Sequence, residues 1–171
     1  MRVGYAGAAG PRTGLELSLV GADVRYHIPG PLTRAQFDAD PQQANATYAQ
    51  RQERRHNRQL RLGARLTHQT PGGGALTTSA YVNPKVLQRS ERGTYRDFTR
   101  IHVGGGTALV QPVRGVSGLS FVAGADAQGQ DGAILFYSLT PATAARPTTG
   151  RGALSTNKAE GALSGGAFAQ A

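Results

Sequence analysis

Three short Gly/Pro-rich breaks alternate along this chain with three long polar stretches, and amphipathic segments of about ten residues lie between them. The short breaks are Ala8–Thr13, Thr70–Gly74 and Gln111–Gly115. The long stretches are Ile28–Gln50, Val86–Thr94 and Asp131–Lys158. A soluble meander has no physical reason to lengthen every second connection. A sheet that crosses a bilayer does, because its two ends meet different compartments. The rhythm predicts an all-β, antiparallel up-and-down meander of roughly seven strands, forming part of the wall of a large transmembrane β-barrel.

Side-chain alternation within the segments agrees. In Asn57–His68, Leu60, Leu62, Ala64 and Leu66 fall on one face, and Arg61, Gly63, Arg65 and Thr67 on the other. This is period two; a helix would scatter the leucines around its circumference. Ala75–Lys85 follows across a glycine-rich turn, and the two read as a hairpin. Tyr95–Gln111 sets Ile101, Val103 and Leu109 against Arg100 and His102, with Gly104–Gly106 in its middle. Gly118–Gln128 repeats the pattern with Leu119 and Phe121. Gly14–His27 alternates only as far as Leu19 and then changes parity, for which a bulge near Gly21 is the expected cause. In Glu160–Ala171, Leu163 and Phe168 disagree about the apolar face. Tyr26 and Tyr95 sit where strands meet long stretches, the position of an aromatic belt.

Composition narrows the class. Hydrophobic residues are 39% of 171, which is thin for a core of that size but enough to coat one face of each strand. No apolar run is long enough for a transmembrane helix. The N-terminal stretch lacks the apolar segment of a signal peptide, and the C-terminal GALSGGAFAQA stops inside a strand-like pattern. The expectation is a fragment, residues 1–171, with neighbouring strands missing on both sides. With no Cys, thiol catalysis and cysteine zinc sites are excluded. His27, His56, His68 and His102 have no metal-ligand spacing. The glycine clusters lack the Lys-Ser/Thr of a phosphate loop, and GLSFVAG lacks a nucleophile-elbow spacing. The expectation is no enzyme, no cofactor and no metal.

The net charge is +9. One source of such an excess is nucleic-acid binding, for which the run RQERRHNR (Arg51–Arg58) could form a basic helix. Against it, the charge is spread over many strands, and the aromatics form no stacking platform. In Ile28–Gln50, Leu32 to Phe37 reads as one short helix with Thr33 as N-cap, ended by Asp40-Pro41.

PGPLTRAQFDADPQQAN (Pro29–Asn45) with the Arg-rich strand after it, GLSFVAGADAQGQD (Gly118–Asp131) and the closing GAFAQA (Gly166–Ala171) resemble TonB-dependent outer-membrane receptors. The resemblance covers roughly Gly14 to Ala171. It implies the middle section of a barrel of about twenty-two strands filled by a plug domain, which this chain lacks. It implies an outer-membrane location, uptake of a ferric siderophore or related iron chelate, and contact with the inner-membrane TonB complex through that plug. The remaining partner is outer-membrane lipid. Arg51, Arg54, Arg55, Arg89 and Arg92, at the long stretches, are the expected ligand-capture residues. Arg61, Arg65, Arg96, Arg100 and His102, with Lys85, are the expected lumen-facing set. A porin-like barrel without TonB coupling is the nearest alternative.

Overall fold

The computed structural model describes residues 1–140 and 150–171. They form one sheet of seven antiparallel strands in chain order: β1 (Arg2–Gly10), β2 (Thr13–His27), β3 (Arg54–Gln69), β4 (Ala75–Glu91), β5 (Thr94–Pro112), β6 (Ser120–Leu139) and β7 (Arg151–Gln170). Each strand pairs with its sequence neighbours, so β1 and β7 each have one edge unpaired. This is an open, up-and-down meander, the form of a partial barrel wall. Two short helices, α1 (Arg34–Ala39) and α2 (Ala46–Gln50), lie in the connection between β2 and β3. No helix of the described residues is long and apolar enough to cross a membrane.

Alternation holds across the whole sheet. Directly opposed residues of antiparallel strands share a face. The row Val3, Leu19, Leu62, Val82, Val103, Gly129, Leu163 therefore lies on one side. The next row, Ser18, Gly63, Tyr81, Gly104, Gln128, Ser164, lies on the other. The first side carries Leu60, Leu62, Leu66, Ile101, Val103 and Phe121, all exposed. Little is buried behind these side chains: Tyr95 is the only buried apolar residue among those described, and the apolar side is a continuous exposed face of the kind that a partner or a membrane covers.

The triple glycine is filled by a neighbour. A Cβ on Gly104 would meet the Tyr81 ring at 2.9 Å, so the ring lies flat across β5 and its hydroxyl donates to Gln128 on β6 at 3.3 Å. Phe168 covers Gly124 in the same way, which resolves its parity: Phe168 is on the polar face and Leu163 on the apolar one. Pro84 breaks the β3–β4 ladder between Gln59–Lys85 and Leu62–Val82, as its missing N–H requires.

Several expectations are corrected. Val86–Thr94 is no loop: β4 runs to Glu91, β5 starts at Thr94, and Arg92 and Gly93 make the turn. Both have positive φ, 55° and 76°, as a two-residue hairpin turn of the I′ kind requires. Most of Asp131–Lys158 is also strand, in β6 and β7; the middle of that stretch, 141–149, lies outside the described residues. These polar stretches are strands that outrun the apolar band, at up to twenty residues where about ten suffice to cross a bilayer. There is no bulge at Gly21, since β2 and β3 pair without a break from Thr13–His68 to His27–Arg54. The parity change is real, and it puts Val20, Val24 and Tyr26 on the polar face. Tyr26 therefore belongs to no lipid-facing belt. Tyr95 is on the apolar side but buried, edge-to-face with Tyr137 at 6.4 Å. The helix at Thr33 is present, with its capping box closed by Gln36, while α2, capped by Asn45, has no counterpart in the sequence reading.

Candidate functional site

The connections at residues 28–53, 92–93 and 140–150 all leave one end of the sheet, and the short turns leave the other. At the first end, period two sorts the arginines. Arg55, Arg89 and Arg96 project on the polar face, where Arg55 is opposite both Tyr26 and Arg89, and Arg89 is opposite Arg96. Two of these three like charges, Arg55 and Arg89, are held by Glu91. Its carboxylate accepts from Arg55 at 3.1 Å, forms a short pair with Arg89, and has Arg92 at 3.9 Å. Arg96 lies over the Phe136 ring at 4.8 Å and donates to Thr94 at 3.1 Å.

Glu91 sits at the hairpin tip, beyond the apolar band. The hydrogen bond from Arg89, joined by that from Arg55, holds its carboxyl below the usual range against the opposing effect of burial. Arg55 is raised in turn, first by its bond to Glu91. A lowered folded value means that Glu91 contributes its full stability above the unfolded carboxylate's pKa of about 4.3 and loses it as pH falls through the folded value.

Below this row the polar face is mostly apolar for one step: Val24, Leu87, Phe98 and Ile134 share the next row with Asn57 and, at its end, Lys158, and Phe98 meets Phe136 edge-to-face at 6.2 Å. The guanidinium row thus rests, over β4 to β6, on the apolar side chains of Leu87, Phe98 and Ile134, which lower the local dielectric and strengthen charge contacts made there.

The β2–β3 connection is docked on the neighbouring hairpin. Glu53 is almost fully buried, at 1% exposure. Its Oε1 accepts from the Gly93 amide at 3.2 Å and lies 3.9 Å from Arg51. The connection is closed at its base by Ile28 N–H to the Glu53 carbonyl at 2.8 Å, and Asn45 donates its amide to Pro29 at 2.7 Å. Glu53→Ala should release the connection at a cost of about 1–3 kcal/mol, because the Gly93 amide loses its acceptor. Glu53→Gln should cost less. Hydrogen exchange at Gly93 reads the difference; equal protection in all three proteins would show that Glu53 holds nothing.

Of the expected capture residues, Arg51, Arg55, Arg89 and Arg92 are brought together here. Arg55 and Arg89 belong to strands, not loops. Arg54 is separated from them: it points to the opposite side of the sheet, with its guanidinium 5.9 Å from the Tyr95 ring. Arg61, Arg65, Lys85, Arg96, Arg100 and His102 all lie on the polar face. Arg61 stacks on Tyr81 at 5.1 Å, Arg65 is opposite Glu16 and Ser79, and Arg100 pairs with Glu160 at 2.7 Å. The sequence reading missed Glu53 and Glu91. Their signal was present, in that each is a lone acid flanked by arginines beside a turn. No group of acidic or histidine side chains among the described residues could hold a metal ion.

No protein family's sequence profile and no curated protein matches the chain. Solved structures do. The sheet is similar to the ferric citrate transporter FecA in its unliganded form, with a TM-score of 0.74. The match covers 98% of this chain and 25% of that one, at 13% identity. Likeness at that identity establishes the fold alone: this sheet has the form of a section of that transporter's structure. The chain spans about a quarter of the transporter's length.

Proposed function

We propose that this sheet is part of the barrel of an outer-membrane, TonB-dependent receptor that imports an anionic iron chelate such as a ferric siderophore. The observation that carries the reading is the basic rim: Arg51, Arg55, Arg89 and Arg92 have only Glu53 and Glu91 as acidic partners in the contacts described, and Arg96 beside them contacts Thr94 and Phe136. It sits on the polar face of a sheet whose other face is apolar. A cationic, partly dry mouth attracts anions over a Debye length and holds them more strongly than an open surface would. Arg61, Arg65, Arg100 and His102 then line the lumen below. The likeness to a ferric citrate transporter and the resemblance of three sequence strings to the receptor family agree with this reading. The TonB complex would act through a plug domain, and outer-membrane lipid would cover the apolar face. The basic run Arg51–Arg58 enters a strand, which divides its arginines between two faces and removes the helix that nucleic-acid binding would need.

The test is radiolabelled iron-chelate uptake by cells carrying the full-length protein. Replacing Arg51, Arg55, Arg89 and Arg92 by Ala should slow uptake on the order of tenfold at low salt and less at high salt. Arg54→Ala, on the other face, should leave uptake unchanged. Deleting the TonB complex should abolish uptake. Normal uptake in the fourfold variant at normal expression would remove the capture role, and TonB-independent uptake would favour the porin-like alternative.

A further inference from the structure

Glu91 ends β4 and lies on the polar face, beside the row Arg55–Arg89–Arg96. Its two oxygens are divided among three guanidiniums. Oε2 accepts from Arg55 Nη2 at 3.1 Å and from Arg89 Nε, and Oε1 lies 3.9 Å from Arg92 Nε. Three guanidiniums around one carboxylate leave an excess of two positive charges. Arg96, the next in the row, has uncharged partners in the contacts described, Thr94 and the Phe136 ring. Arg55 Nε is shielded from solvent and has no acceptor. The row is a carboxylate site that the protein itself fills, and fills incompletely.

We propose that Glu91 stands in for one carboxylate of the ligand and that the ligand is a polycarboxylate, one carboxylate displacing Glu91 from Arg55 and Arg89 and a second reaching Arg96. The inference rests on the reading of the rim as an anion-capture site, and it names that site's substrate class.

The class follows from competition. Glu91 is two residues from Arg89 on the same strand face, so it is tethered to its partners at an effective concentration on the order of millimolar or above. A monocarboxylate offers the guanidiniums the contacts they already have, and below that concentration it loses to Glu91. A second carboxylate adds a contact that Glu91 does not make. Arg89 and Arg96 are directly opposed on adjacent strands, about 5 Å apart, a separation that two carboxylates of one small molecule span. A lone phosphate has no second group to place there. Glu91 thus sets a threshold that keeps single weak anions from filling the mouth, and discrimination comes from the repulsive group as much as from the attractive ones.

The experiment measures equilibrium binding of acetate, tricarballylate and ferric citrate to the full-length protein in detergent. Tricarballylate should bind about tenfold or more tightly than acetate, through the added charged hydrogen bond. Glu91→Gln should strengthen both by about tenfold, the effect of removing a competitor that holds the site about nine-tenths of the time. Glu91→Asp keeps the charge and shortens the reach, so it should strengthen both by about threefold, where a charge effect alone would leave it like the wild type. Arg96→Gln should weaken tricarballylate about tenfold and acetate less than about twofold. Asp38→Asn removes an exposed acid of the β2–β3 connection that pairs with Arg34, and should change either by less than about twofold. Hydrogen-exchange protection of β4 and β5 shows that each variant is folded. Unchanged affinity in both Glu91 variants overturns the competitor role, and equal losses of acetate and tricarballylate in Arg96→Gln overturn the second-carboxylate contact. Binding of tricarballylate without binding of ferric citrate supports the Glu91 exchange and removes the iron-chelate reading. Failure of all three to bind, or binding unchanged when Arg51, Arg55, Arg89 and Arg92 are Ala, overturns the capture reading and this inference with it.

Discussion

Leu62→Arg should destabilise the folded protein in liposomes by about 2–4 kcal/mol, because it places a charge near the middle of the hydrocarbon. Leu62, itself exposed, sits in the row Leu19–Leu62–Val82–Val103, flanked on both sides by apolar side chains and several residues from the nearest charge on its face. If that face meets lipid, as proposed, an arginine there finds no counter-ion and no water. The sharper form of the test uses adjacent residues of β4. Ala80→Arg projects into the apolar face; Ser79→Arg projects into the polar one, opposite Arg65. The first should cost about 2–4 kcal/mol. The second should cost under about 1 kcal/mol, most of it like-charge opposition. Urea titration of the protein in liposomes reads both. Equal costs at the two positions would mean that the faces do not meet different solvents, and the membrane assignment would fail with them.

That contrast is also why so much of the fold could be read from the residues. One apolar and one polar face impose period two directly, as lipid on one side and water on the other would, so Leu60, Leu62 and Leu66 against Arg61 and Arg65 identify β3 almost alone. β1 was illegible because RVGYAGAAG contains little contrast: Gly and Ala suit either face. Val86–Thr94 and most of Asp131–Lys158 read as polar connections for a different reason. Beyond the apolar band a strand is polar on both faces, so polarity there no longer distinguishes strand from loop. The same effect produced the parity change in β2. Past Gly21 the outward face is charged because the strand has left the apolar band, and no bulge is needed. In the candidate site, the arginines were visible but their grouping was not. Arg54 and Arg55 are neighbours in sequence and lie on opposite sides of the sheet. Only pairing, which brings Arg55 to Arg89 and Glu91, decides which charges act together.

The 171 residues expressed alone should not yield a stable, bilayer-inserted monomer. β1 presents its unpaired edge over Arg2–Gly10 and β7 over Arg151–Gln170. Along each edge about half of the backbone N–H and C=O groups point away from the sheet. In hydrocarbon, each unsatisfied group costs several kcal/mol, and the membrane-crossing part of the two edges contains enough of them to exceed the roughly 5–15 kcal/mol that stabilises a typical domain. Water does not rescue the chain either, since it leaves Leu62, Ile101, Val103 and Phe121 exposed on one continuous face. On the barrel reading the edges must be paired, by further strands or by other copies of this sheet. The expected behaviour is therefore edge-to-edge association or aggregation, seen as species well above 17.9 kDa in detergent. A cysteine introduced at Tyr5 on β1 and another at Leu163 on β7 should crosslink between copies if the edges meet. A monodisperse 17.9 kDa species with protease-protected strands in liposomes would require that the sheet close on itself. The strand order excludes that closure as described, because β1 and β7 do not pair.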